Sequence, residues 1–213
     1  MRLNIILYGL KEVILMYPDS IKNLIESFKL LSGVGEKTAE RFAFSILGMD
    51  EDNVEFFSDS LKAVKNKVHL CKKCNNLTEN DYCYICSNED RNKNVLCVVE
   101  DPKSVFLFER VGVFNGYYHV LDGLISPIDG INPEDIGLAK LLDRIKNEDF
   151  KEIIFAFKPS IEGETTSLYI RKILSDLDIK ITRLASGVPM GADIEYIDSL
   201  TLERALNDRK EVA

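Results

Sequence analysis

At 213 residues, with 46% hydrophobic and 29% charged side chains, the chain is long enough for one sizeable domain, or two small ones plus an accessory module. Its formal net charge of −8 and pI of about 5.0 exclude a protein that coats nucleic acid indiscriminately. The charge is uneven: residues 16–95 carry 11 basic and 13 acidic side chains, whereas residues 96–213 carry 14 and 21. Lys62, Lys65, Lys67, Lys72 and Lys73 form a run without an acid, so bound nucleic acid is expected on the N-terminal half, the plain alternative being a solvated helix face.

Residues 1–15, MRLNIILYGLKEVIL, are apolar but too short to span a membrane, and Lys11-Glu12 interrupts them. They lack the small-residue cleavage site of a signal peptide. Met16-Tyr17-Pro18 is the better start, so 1–15 is expected to be an upstream extension of the reading frame and is assigned no function.

Residues 16–68 read as helical. Ile21, Leu24, Ile25, Phe28 and Leu31 recur at helical period after Pro18, with Asp19 or Ser20 as the expected N-cap. The pattern breaks at Ser32-Gly33-Val34-Gly35 and resumes from about Lys37 to Leu47, with Ala39, Phe42, Ala43 and Ile46 on one face and Gly48 as the stop. A further helix is expected over 51–67. This is a helix-hairpin-helix pattern. Gly33 and Gly35 permit a tight turn and a close approach to a phosphate, which the N–H groups opening the second helix can bind. Lys37 and Arg41, four apart, share a face and can add charge-assisted contacts. The competing interpretation is a plain glycine turn between two core helices. A phosphate-binding P-loop is excluded, because Glu36 and Leu31 stand where that motif requires glycine and a helix precedes where it requires a strand.

Residues 69–90 hold Cys71-x₂-Cys74-x₈-Cys83-x₂-Cys86. Two C-x-x-C turns joined by a short polar spacer supply four thiolates to one tetrahedral ion, which predicts a structural Zn²⁺ knuckle. All four positions are filled by cysteine, so no coordination site stays open for chemistry. Zinc loss through Cys83→Ser is expected to destabilise the N-terminal half. The fifth cysteine, Cys97, lies in the apolar run 95–99 and reads as a buried small hydrophobe. Free cysteine beside a zinc site points to the cytoplasm.

From Val95 strands and helices alternate. Strands are predicted over Val95–Val99, Tyr117–Leu121, Glu152–Phe157 and Ile179–Leu184, with helices near 102–110, 134–147 and 165–177. Such alternation implies a mostly parallel sheet with crossover helices. The longest loop, Asp122 to Glu134, holds two Pro and two Gly and is a candidate functional loop. Glu100 follows one strand directly, and Glu162-Gly163-Glu164 follows another. Carboxylates converging at such strand ends can hold Mg²⁺, a solvated loop being the alternative.

In this order the segments resemble the RecR family of bacterial recombination mediators over residues 16 to about 210. The segments are the hairpin LLSGVGEKTAERFAF, the Cys71–Cys86 module, CVVEDPKS, YYHVLDGLISPIDGINPEDI, KPSIEGETTSLYI and ITRLASGVPMGADIEYIDSLTLERAL. Ser32 stands where the family has Pro, Asp122 where it has Gly and Lys158 where it has Asn. The resemblance implies an α+β multidomain protein. Its parts are a helix-hairpin-helix domain (16–68), a four-cysteine zinc finger (69–90), a Toprim α/β domain (91–190) and a C-terminal helical segment (191–213). It implies a non-enzymatic, cytoplasmic repair protein acting with RecO and RecF at gaps coated by single-stranded DNA-binding protein, helping to load RecA. It also implies dimers and ring-shaped tetramers around single- or double-stranded DNA, with Lys37 and Arg41 as DNA contacts. Glu100, Glu162 and Glu164 match acidic Toprim positions. Catalytic Toprim enzymes carry Asp-x-Asp where this chain has Glu-Gly-Glu, so weak Mg²⁺ binding without catalysis is expected. The alternative is a metal-dependent Toprim nuclease or topoisomerase/primase relative, with Glu100 as general base and Glu162 and Glu164 as ligands. A topoisomerase needs a nucleophilic tyrosine in a separate domain that no part of this chain is free to supply. A sequence-specific zinc regulator fits poorly, for want of a recognition helix behind the knuckle.

Overall fold

A computed structural model describes residues 17–185, 187–209 and 211, so the extension expected over 1–15 lies outside the described residues. The chain divides into two compact units, the first ending at Asn66 and the second starting at Lys67.

In the first unit α1 (Asp19–Lys29), α2 (Glu36–Leu47) and α3 (Glu51–Lys67) follow one another. Ile25, Ala39 and Ala43 are buried, with Ile21, Leu24, Phe28 and Val34 packed around them. The alanines lie one turn apart on α2, where their small size lets the two helices close together. The expected cap at Asp19 or Ser20 is corrected. Pro18 is the N-cap residue, its carbonyl accepts from Ile21 N at 3.0 Å and Lys22 N at 3.1 Å, and Asp19 lies inside the first turn, bonded to Lys22. The helix dipole favours an acid there. α3 buries none of its side chains among the described residues and leaves Phe56, Leu61 and Val64 exposed.

The second unit opens with an antiparallel pair, β1 (His69–Leu70) and β2 (Leu77–Thr78), and a single helical turn, α4 (Tyr84–Ser87). Then come β3 (Asn92–Val99), α5 (Pro102–Val111), β4 (Gly116–Val120), α6 (Leu138–Asn147), β5 (Glu152–Ala156), α7 (Ile161–Ile173), β6 (Lys180–Arg183) and α8 (Ser199–Asn207). The four long strands form one parallel sheet in the order β4-β3-β5-β6. The apolar runs that announce these strands fill the core, Leu96, Val98, Val99 and Ile153 being fully buried. Cys97 is buried too, and burial pushes its thiol up to about 12.

Two helix starts differ from the sequence expectation. α7 begins at Ile161 rather than near 165, because the Ser160 hydroxyl accepts from Gly163 N at 3.2 Å and caps it. Gly163 sits in the first turn, where a Cβ would lie 2.3 Å from Lys158 O, so only glycine lets the helix start against that turn. α6 begins at Leu138, not near 134, because Gly137 adopts φ 67° and ends the preceding loop in the left-handed region.

The knuckle and the sheet share one core: Cys71, Cys74, Cys83 and Ile85 pack with the strand residues. β4 is an edge strand, yet all five of its residues are buried. Three of its outward backbone groups are occupied: Gly116 O accepts from Arg91 Nε at 2.8 Å, Tyr118 O from Arg144 Nη1 at 2.7 Å, and Val120 N donates to Cys74 O at 2.8 Å. No strand among the described residues pairs with the far side of β6.

Candidate metal centre and nucleic-acid interface

Each C-x-x-C turn closes through its own backbone. Asn75 N donates to Cys71 O at 3.1 Å in the first, and Ser87 N to Cys83 O at 3.0 Å in the second. The hairpin of β1 and β2 brings the two turns together, so the sulfurs of Cys71, Cys74, Cys83 and Cys86 all lie within 4.8 Å of one another. All four thiols are free, and no Asp, Glu or His among the described residues belongs to the cluster. Backbone N–H groups point at the sulfurs: Cys83 N lies 3.2 Å from Cys71 Sγ and Asn76 N 3.5 Å from Cys74 Sγ. A closed set of four soft sulfur donors, two of them accepting from backbone N–H groups, fits a structural Zn²⁺ and supplies no open position for substrate. The zinc module lies in the same compact unit as the sheet, so its loss is expected to weaken that unit.

The hairpin between α1 and α2 turns at Gly33, with φ 81°. Among the described residues, no atom lies within 4 Å of where a Cβ on Gly33 or Gly35 would sit, so the turn presents bare backbone to them. Gly35 is the N-cap of α2, and no side chain among the described residues caps that end, which leaves the opening amides available to an anion. Glu36 is held by Lys29 at 2.6 Å, and Glu40 accepts from the Tyr17 hydroxyl. Lys37 and Arg41, one residue further in each case, are exposed and form no ion pair among the described residues. The acids of α2 are thus engaged while its cations stay exposed.

In the second unit the sheet order reverses between β3 and β5, which opens a crevice at their carboxyl ends. Glu100 stands there, its Oε2 3.5 Å from Lys158 N. Glu162 and Glu164 lie in the first turn of α7, and the Ser160 hydroxyl holds the Glu162 carboxyl below its ordinary value. The three glutamates are not drawn together as the sulfurs are. Glu164 is engaged by Arg183, Oε1 to Nη1 at 2.7 Å, and Arg183 also holds Asp208 at 2.9 Å. That pairing joins residues far apart in sequence and carries no local signal. Asn75, the residue that links the knuckle to the sheet, is equally hidden; an asparagine directly after a C-x-x-C turn is its only trace.

A hairpin, a four-cysteine knuckle and a parallel α/β domain with acidic strand ends define a multidomain protein of the helix-hairpin-helix, zinc-finger and Toprim class. Residues 21–65 match the RecR helix-hairpin-helix, 68–88 the RecR four-cysteine zinc finger domain, 94–185 the Toprim domain and 187–210 the RecR C-terminal segment. The chain is 48% identical over 196 residues to a recombination protein RecR of Staphylococcus haemolyticus, and 47% identical to one of Staphylococcus aureus. Each match covers 92% of this chain and 99% of the relative. The chain belongs to the RecR family.

Proposed function

We propose that this chain is a DNA-binding recombination mediator of recombinational repair, acting with RecO and RecF to load RecA at single-stranded gaps. The observation that carries this reading is the second hairpin helix, which pairs Glu36 and Glu40 internally and leaves Lys37, Arg41 and an uncapped amide terminus facing outward. Such a surface binds phosphates without reading bases, as a mediator active at any gap requires. Net charge of −8 is reconciled with DNA binding if copies assemble into a ring that gathers these cations on its inner wall. The exposed apolar residues Phe56, Leu61 and Val64 of α3 support such self-assembly.

Zinc holds the fold and takes no part in chemistry. Glu100 and Glu162 bind Mg²⁺ weakly at most, and Glu164 is engaged by Arg183, which favours a non-catalytic role over a Toprim nuclease. Light scattering of the protein alone, with gapped DNA, and with gapped DNA plus RecO tests the assembly. RecA-filament formation on gaps coated by single-stranded DNA-binding protein tests mediation. Failure to accelerate loading in the presence of RecO and RecF removes the mediator reading.

A further inference from the structure

Asn75 follows the second cysteine of the knuckle and is the sole non-glycine residue with positive φ, 60°, among the described residues. Asparagine tolerates that region better than other side chains. Its amide is used outside the knuckle. Nδ2 donates to Val120 O at 3.2 Å, and Oδ1 accepts from Lys140 Nζ at 2.5 Å. Lys140 Nζ also donates to Cys71 O at 3.2 Å, and Val120 N to Cys74 O at 2.8 Å. Gly137 passes close by, a Cβ there lying 3.7 Å from Asn75 Nδ2.

Val120 and Lys140 flank the long connection 121–137, so one side chain grips both of its ends. Asp122 N donates to Ile136 O at 3.2 Å and closes the base of the connection. Further out, Ile125 N donates to the fully buried Thr166 Oγ1 at 2.9 Å, and that hydroxyl donates to Glu162 O at 2.7 Å. A continuous set of polar contacts therefore runs from the knuckle, through the connection, to the helix turn that carries Glu162.

We infer that Asn75 is a positioning residue through which the zinc knuckle fixes the connection 121–137 beside the carboxyl-end crevice of the sheet. The knuckle is then a clamp on this connection as well as a brace of its own turns. Both Asn75 contacts bridge segments distant in sequence, and one of them engages an ammonium, which makes it the stronger kind of hydrogen bond.

The experiment is hydrogen exchange by mass spectrometry on the zinc-loaded full chain, with metal content measured in parallel. Asn75→Gly keeps the backbone conformation and removes both contacts. It is expected to retain one zinc and to raise exchange at 121–126 and 136–140 by about tenfold, while β3 and β5 keep their protection. Asn75→Asp keeps the acceptor for Lys140 and loses the donor to Val120. It is expected to restore protection at 136–140 and leave 121–126 exposed. Lys140→Met, which removes the ammonium from Asn75 Oδ1 and from Cys71 O and keeps the Asn75 donor to Val120, should give the opposite pattern. Unchanged exchange at both ends in Asn75→Gly overturns the inference. A uniform rise across the sheet, or loss of zinc from that variant, overturns it too, by assigning Asn75 to general stability or to the ligand turn alone.

Discussion

Arg91 and Glu109 meet in a two-point ion pair, Nη1 to Oε2 at 2.9 Å and Nη2 to Oε1 at 2.8 Å. The same carboxylate accepts from the hydroxyls of Tyr84 and Tyr118, each at 2.9 Å, so the knuckle turn, β4 and the approach to β3 converge on one residue of α5. Burial alone would raise the Glu109 pKa, but the Arg91 bond and the two tyrosine bonds reverse that and hold it below the ordinary carboxylate value. Arg91→Ala leaves a largely desolvated carboxylate with only its tyrosine donors. It should cost about 3 kcal/mol, the low end for breaking a buried pair, measured by urea unfolding of the zinc-loaded protein. Because the folded pKa is depressed, the stabilisation is present above the unfolded value and is lost as pH falls through the folded one.

His119 supplies a second acid-side sensitivity. Its ring is fully buried on β4, neither nitrogen has a hydrogen-bond partner among the described residues, and burial, with Arg144 and Lys140 adding to it, lowers its pKa to about 3. Between that value and its ordinary 6.5 the unfolded chain binds a proton that the folded one refuses, so stability falls as pH drops through this window. Replacement by Leu should flatten the loss between about pH 6.5 and 4, and an unchanged pH profile of the unfolding midpoint would refute it.

Cys83→Ser should lose the metal and weaken the unit that starts at Lys67 while sparing the hairpin unit. Proteolysis mapped by mass spectrometry, beside metal analysis, distinguishes the two units. Well under one zinc per chain in the native protein, with the fold intact, would end the structural-zinc reading.

Lys37→Ala/Arg41→Ala should keep zinc and oligomeric state but bind DNA more weakly at moderate salt. Each phosphate contact removed lowers the salt slope by about one, with sequence preference unchanged. If the hairpin is only an assembly surface, sedimentation will instead show smaller species. An intact assembly with unaltered affinity and slope removes both residues from the interface.

With Mg²⁺ and nicked, gapped or hairpin DNA, no multiple-turnover cleavage is expected. Turnover that disappears in Glu100→Gln would replace the mediator reading with a Toprim enzyme.

What is legible in the sequence is what short-range chemistry encodes. The four cysteines fix their cluster by spacing, and the apolar runs at Leu96–Val99 and Ile153–Phe155 mark core strands, since a strand buried on both faces leaves little choice of residue. Gly33-Val34-Gly35 shows the hairpin because a positive φ has few sequence solutions. The start of α7 escapes the pattern because its apolar period sets in after the first turn, whereas the real start is fixed by one hydroxyl, Ser160, and one missing side chain, Gly163. The docking of the knuckle onto the sheet and the capture of Glu164 by Arg183 are illegible for another reason. They depend on pairs 45 and 19 residues apart, where neither partner has a local pattern.

The two margins of the sheet are unequal, and that bears on how copies can adhere. Along β4, two guanidinium groups occupy the outward carbonyls of Gly116 and Tyr118, and the knuckle takes both outward groups of Val120, which obstructs a further strand there. Beyond β6 no strand pairs among the described residues. A sheet that can be extended in a single direction cannot propagate. Two copies joined across β6 would each spend their one open margin on the other, and growth would stop at a pair where a doubly open sheet would run on into a fibre.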